Sequence, residues 1–91
     1  MFAEKVRSLF ERTRPRDLYD VWYLKNKITF DKPLFQKKCE YKKVEPNIYE
    51  LIARKTNYEK TWKASLKHQI SELPYVTDVF DDVIDFLKKI I

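Results

Sequence analysis

The sequence predicts an all-α protein, a small bundle of about five to six helices, on three observations. Apolar residues recur at helical spacing through most of the chain. Strand-like alternation is too short to compete: Val21 to Leu24 and Ile28 to Phe30 lie inside or beside helical periods. There is also no glycine. A helix end with φ > 0 is therefore open only to Asn or Lys, and helices are expected to stop at prolines and polar loops.

Phe2, Val6, Leu9 and Phe10 fall on one face of a first helix that runs to about Arg12, with Glu4, Arg7, Ser8 and Glu11 opposite. Thr13 and Arg14 link it to a second. Pro15 suits the first turn there, where its missing N–H costs nothing, and the helix is expected to continue to about Asn26. Asp31 followed by Pro33 starts a third helix with Leu34, Phe35 and Cys39 inward, ending in the run Tyr41 to Glu45 before Pro46. Asn47 with Glu50, and Thr56 with Glu59, have capping-box spacing. They predict a short fourth helix and a fifth from about Asn57 to Ile70, where Tyr58, Trp62, Leu66 and Ile70 repeat every four residues. Beyond the break at Ser71 to Pro74, Val76, Val79, Phe80, Val83, Ile84, Leu87 and Ile91 form a continuous apolar stripe. The last helix has aspartates early and Lys88 and Lys89 late, as its macrodipole favours.

At 91 residues the chain is a single domain with one small core. A hydrophobic content of 44% is enough for it to fold. No apolar stretch approaches a membrane span and the N-terminus lacks a signal pattern, so the expectation is a cytoplasmic protein without membrane association. One cysteine, Cys39, and one histidine, His68, exclude an internal disulfide and a Cys/His zinc site. Without glycine the chain holds no P-loop or dinucleotide fingerprint. The net charge of +5 resides in the first half: residues 1 to 43 carry twelve Lys/Arg against six Asp/Glu, and residues 44 to 91 seven against eight. A basic surface favours anionic partners such as nucleotides or RNA, although a solvated helix face looks the same. The run Lys37 to Lys43, with Tyr41 inside it, is either a plain exposed helix end or a place where RNA is touched by stacking and phosphate contacts.

The second helix is apolar on nearly every side, with Leu18, Tyr19, Val21, Trp22, Tyr23 and Leu24, and should seek burial. Asp17 and Asp20 share one row of it, and Arg16 can pair with Asp20 four residues on. Charges on so apolar a helix are paired structural groups or site residues, since an unpaired buried carboxylate is costly. Asp78, Asp81, Asp82 and Asp85, on the polar face of the last helix, read as solvated.

Glu4-Lys5 opening an amphipathic helix, then Arg12, Arg14, Pro15 and Arg16-Asp17-Leu18-Tyr19-Asp20, resembles the closing motifs of the AbiEii/AbiGii toxin family of nucleotidyltransferases. Residues 2 to 24 carry most of the likeness; Trp62, Leu66, Leu73, Pro74 and Val79 fit the family's tail more loosely. The resemblance implies that Lys5, with Arg16, contacts nucleotide phosphates, and that Asp17 or Asp20 activates the attacking hydroxyl or holds the site's geometry. It does not separate the two aspartates. It also implies a nucleoside triphosphate and Mg for an intact member, but the family's Gly-Ser loop and paired metal-binding aspartates have no counterpart here. The chain is therefore expected to be the C-terminal helical part of such an enzyme from a toxin–antitoxin or phage-defence system, inactive alone and binding no cofactor itself. Its expected partners are an N-terminal nucleotidyltransferase half, an antitoxin protein and an RNA acceptor. The alternative is a stand-alone helical module that binds RNA or a protein, or forms a homo-oligomer through the apolar second helix.

Overall fold

A computed structural model describes residues 2–90. It is 72% helical, with six helices and no strand among the described residues. The helices are α1 (Phe2–Glu11), α2 (Pro15–Leu24), α3 (Lys32–Lys42), α4 (Ile48–Ala53), α5 (Lys55–Leu66) and α6 (Val76–Ile90). Ile91, assigned by its periodicity to the last apolar stripe, lies outside the described residues.

The ends follow the local chemistry. Pro15 opens α2 after the extended Arg14. Asp31 caps α3 by accepting from the Leu34 N–H at 3.0 Å, and Asn47 caps α4 by accepting from Tyr49 and Glu50. α3 stops on Lys43 at φ 56°, a left-handed cap made without glycine. The Thr56 and Glu59 box does not cap α5. That helix begins at Lys55, separated from α4 by Arg54 alone, and Arg54 is held by donating from Nη1 to the Leu9 carbonyl at 3.2 Å. It also ends at Leu66, four residues short of Ile70, while α2 ends at Leu24 and passes into a turn.

α2 is the spine of the bundle. It packs on α1, α5 and α6; α3 lies on the other flank of α1, and α4 closes the end against α1, α5 and α6. Val6, Leu9, Leu18, Val21, Leu51, Tyr58, Leu66, Val79, Val83 and Leu87 are fully enclosed. Phe2, Phe30 and Phe86 meet pairwise at 5.8–6.2 Å between ring centroids and tie α1, the α2–α3 loop and α6 together. Two indoles add directed bonds: Trp22 Nε1 donates to Asp82 Oδ2 at 3.2 Å, and Trp62 Nε1 to the Pro74 carbonyl at 2.9 Å. α2 is thus covered on most of its circumference, and of its large side chains Tyr23 faces outward. No helix among the described residues is long and apolar enough to cross a membrane.

Candidate functional site

Lys5 sits on the flank of α1 that faces α2, beside the buried Val6 and Leu9 stripe. Its Nζ donates to Asp20 Oδ2 at 3.0 Å. The other oxygen of the same carboxylate accepts from Arg16 Nε at 3.1 Å, so Asp20 holds two cations at once. Arg16 reaches further, donating from Nη1 to Gln69 Oε1 at 3.0 Å. The Gln69 amide is itself fixed by donating to the Ser65 carbonyl at 3.2 Å. Three parts of the chain, α1, α2 and the turn after α5, therefore meet in one polar cluster at the surface.

Asp17 turns away from this cluster. It is 8% exposed and accepts from Arg12 Nε at 3.1 Å, a bridge that spans the α1–α2 connection. Close by lies Tyr58, completely buried, whose hydroxyl has no hydrogen-bond partner among the described residues. Burial pushes the Tyr58 pKa up to about 12, the Arg54 charge opposing the rise and the Asp17 charge adding to it. Asp17 and Asp20, one turn apart in sequence, are thus similarly enclosed, with side chains 12% and 16% exposed, and differ in their partners: one arginine for Asp17, two cations for Asp20.

Beside Asp20 is a groove of about 390 Å³ lined by Arg16, Tyr19, Asp20, Tyr23 and the turn from Gln69 to Ser71. The rings of Tyr19 and Tyr23 stack with centroids 6.1 Å apart, and the Arg16 guanidinium lies 6.0 Å from the Tyr19 centroid. Lys27 sits 3.8 Å from the Tyr23 centroid and, chiefly by hydrogen bonding to its hydroxyl, holds that phenol below its usual range. An arginine, an aromatic stack and an amide open to solvent can receive an anionic, planar ligand, with Lys5 joined to the groove through Asp20.

The carboxylates do not fit a divalent cation. Asp20 has a cation on each oxygen and Asp17 is matched to Arg12, whereas hard metals need several oxygen ligands converging on one point. Among the described residues no three His, Cys, Asp or Glu side chains converge in that way. Asp78, Asp81, Asp82 and Asp85 are exposed, as their helix face predicts, but two of them have fixed partners: Asp81 with Lys55 at 3.5 Å and Asp82 with Trp22.

Four of the residues singled out by the sequence, Lys5, Arg16, Asp17 and Asp20, are thus found on facing flanks of α1 and α2, with Asp17 apart from the other three. Sequence reasoning missed Gln69, which is 53 residues from its partner and carries no local signal. It also missed the pairing of Arg12 with Asp17, because a spacing of five across a proline follows no helical rule.

No curated protein and no solved structure matches the chain. Residues 1–86 match the model of the family described as nucleotidyl transferase AbiEii toxin, Type IV TA system. That match spans the Lys5 and Arg16–Asp20 motifs as well as all the helices up to the last turn of α6. The chain belongs to the AbiEii nucleotidyl transferase toxin family.

Proposed function

We propose that the chain is the helical part of a nucleotidyltransferase toxin and supplies the phosphate-binding cations and one carboxylate of its transfer site. The observation that carries this reading is the meeting of Lys5, Asp20 and Arg16 across two helices, beside a groove walled by Tyr19 and Tyr23. Nucleotidyl transfer joins an acceptor hydroxyl to the α-phosphorus of a nucleoside triphosphate and releases diphosphate. Lys5, a compact point charge, suits a phosphate oxygen, and Arg16 offers a planar fork for a second. Asp20 orients both cations before substrate arrives. Once phosphate takes over Lys5, the freed Asp20 oxygen can accept the proton of the attacking hydroxyl. Asp17 acts as a positioning residue, fixing the start of α2 through Arg12.

The metal chemistry and the glycine loop would come from residues outside these 91, since the chain has no glycine and Asp17 and Asp20 are already matched to cations. A toxin of a toxin–antitoxin system implies an antitoxin partner. The test is reconstitution: the chain joined to a family-type N-terminal half, incubated with each labelled nucleoside triphosphate, magnesium and total RNA. Transfer is expected, with Lys5→Ala and Asp20→Asn each reducing it at least a hundredfold. Undiminished transfer in both variants would sink the assignment.

A further inference from the structure

On the opposite flank of α1 from Lys5 lies a second groove, of about 380 Å³, between α1 and α3. Its walls are Glu4, Arg7, Lys37, Lys38, Tyr41 and Lys42: four cations against one carboxylate. Glu4 is engaged with Lys38 at 2.7 Å, and Arg7 with Glu11, whereas Lys37 and Lys42 enter no ion pair among the described residues. Tyr41 is 83% exposed, among the most exposed of the large hydrophobic side chains, and the Lys42 ammonium stands 5.8 Å from its ring centroid. Nothing in the bundle requires an aromatic there. Tyr41 packs on none of the core, and α3 is already anchored by Phe35 and Cys39.

We propose that this α1–α3 groove binds single-stranded polynucleotide, with Lys37 and Lys42 on neighbouring backbone phosphates, Arg7 on a third through the guanidinium nitrogens that Glu11 does not engage, and the Tyr41 ring stacked on a base. Three features favour a nucleic acid over an acidic polypeptide. An exposed ring flanked by cations is the arrangement that single-strand binders use, because every base offers a π-face whatever its identity. Lys37 and Lys42 are five residues apart, about 7.5 Å along the axis, close to the spacing of neighbouring phosphates in an extended strand. The groove also opens to solvent, with Lys37, Tyr41 and Lys42 all exposed on its α3 side. Binding here needs neither metal nor nucleotide transfer, so it goes beyond the transfer-site reading and can succeed or fail independently of it.

The experiment is fluorescence anisotropy of a labelled twelve-nucleotide oligouridylate titrated with the whole chain at two salt concentrations. Three phosphate contacts give a slope of about −2 in log affinity against log salt, or a fall of about twentyfold between 50 and 200 mM. The charge reversal Lys37→Glu with Lys42→Glu should weaken binding at least tenfold. Tyr41→Ala should weaken it about fivefold or more, with Tyr41→Trp restoring it, while circular dichroism confirms that each variant folds. The control pair Lys60→Glu with Lys63→Glu places the same charge change on exposed positions of α5, where binding should be kept within about twofold. Equal weakening by the control pair would reduce the effect to net charge and overturn the site. An unaffected Tyr41→Ala variant would do the same, and poly-glutamate competing as well as oligouridylate would reassign the groove to an acidic polypeptide.

Discussion

Lys5 Nζ and Asp20 Oδ2 stand 3.0 Å apart although fifteen residues separate them, and they fasten α1 to α2 at the surface. The lysine side chain is 38% exposed, so solvent screens much of the attraction. A double-mutant cycle on thermal unfolding with Lys5→Ala and Asp20→Asn should give a coupling of about 0.5–1 kcal/mol. In a reconstituted enzyme the same substitutions should each reduce transfer at least a hundredfold. A coupling above about 3 kcal/mol would mark the pair as chiefly structural.

Asp17 should behave in the opposite way. Its carboxylate is nearly buried against Arg12, so Asp17→Asn leaves a less well-matched group inside and should cost about 1–2 kcal/mol in urea unfolding. Transfer in the stable fraction should fall less than tenfold. Equal catalytic loss in the Asp17 and Asp20 variants would return both to the site.

Tyr58 gives a pH-dependent prediction. Its folded-state pKa of about 12 is above the ordinary tyrosine value of about 10. The folded state therefore binds the proton more tightly than the unfolded chain does. Its stabilising contribution is full below pH 10 and is lost as the pH rises toward 12, to the extent of about 2 kcal/mol. Tyr58→Phe removes both this titration and a buried hydroxyl without a partner, so the variant should match or exceed the parent at pH 7 and lose less stability between pH 10 and 12. A steeper alkaline loss in the variant would contradict the burial argument.

Lys43 ends α3 in a left-handed conformation that crowds its Cβ against the neighbouring carbonyl. Lys43→Gly should raise stability by about 0.5–1 kcal/mol, the strain relieved outweighing the extra backbone freedom of the unfolded chain. Destabilisation measured by thermal melting would show that the cap is unstrained.

The parts of the fold legible in the sequence were those set by short-range periodicity. The stripe from Val76 to Leu87 places α6 correctly, Phe2 to Phe10 place α1, and Asp31 and Asn47 mark their helix starts because a cap is a bond between near neighbours. α5 was shifted because Thr56 looked like a cap, while its start is set by Arg54, pinned 45 residues away on Leu9. The same limit governs the site. The Arg16–Asp20 pair follows from helical spacing, but the Lys5 bond to Asp20 and the Arg16 bond to Gln69 depend on how helices cross, which no local pattern records.

α2 takes its outer neighbours from near in sequence and its inner wall from far away. The bond from Trp22 to Asp82 spans 60 residues, and α5 and α6 cover Leu18 and Val21. During vectorial synthesis α1, α2 and α3 can pair as soon as they emerge, yet the greasy side of α2 stays bare until α6 leaves the ribosome. Until then that bare apolar side is open to chaperones and proteases. The Lys5 bond to Asp20 can form within that early pairing, whereas the Arg16 bond to Gln69, 53 residues on, must wait for the turn after α5.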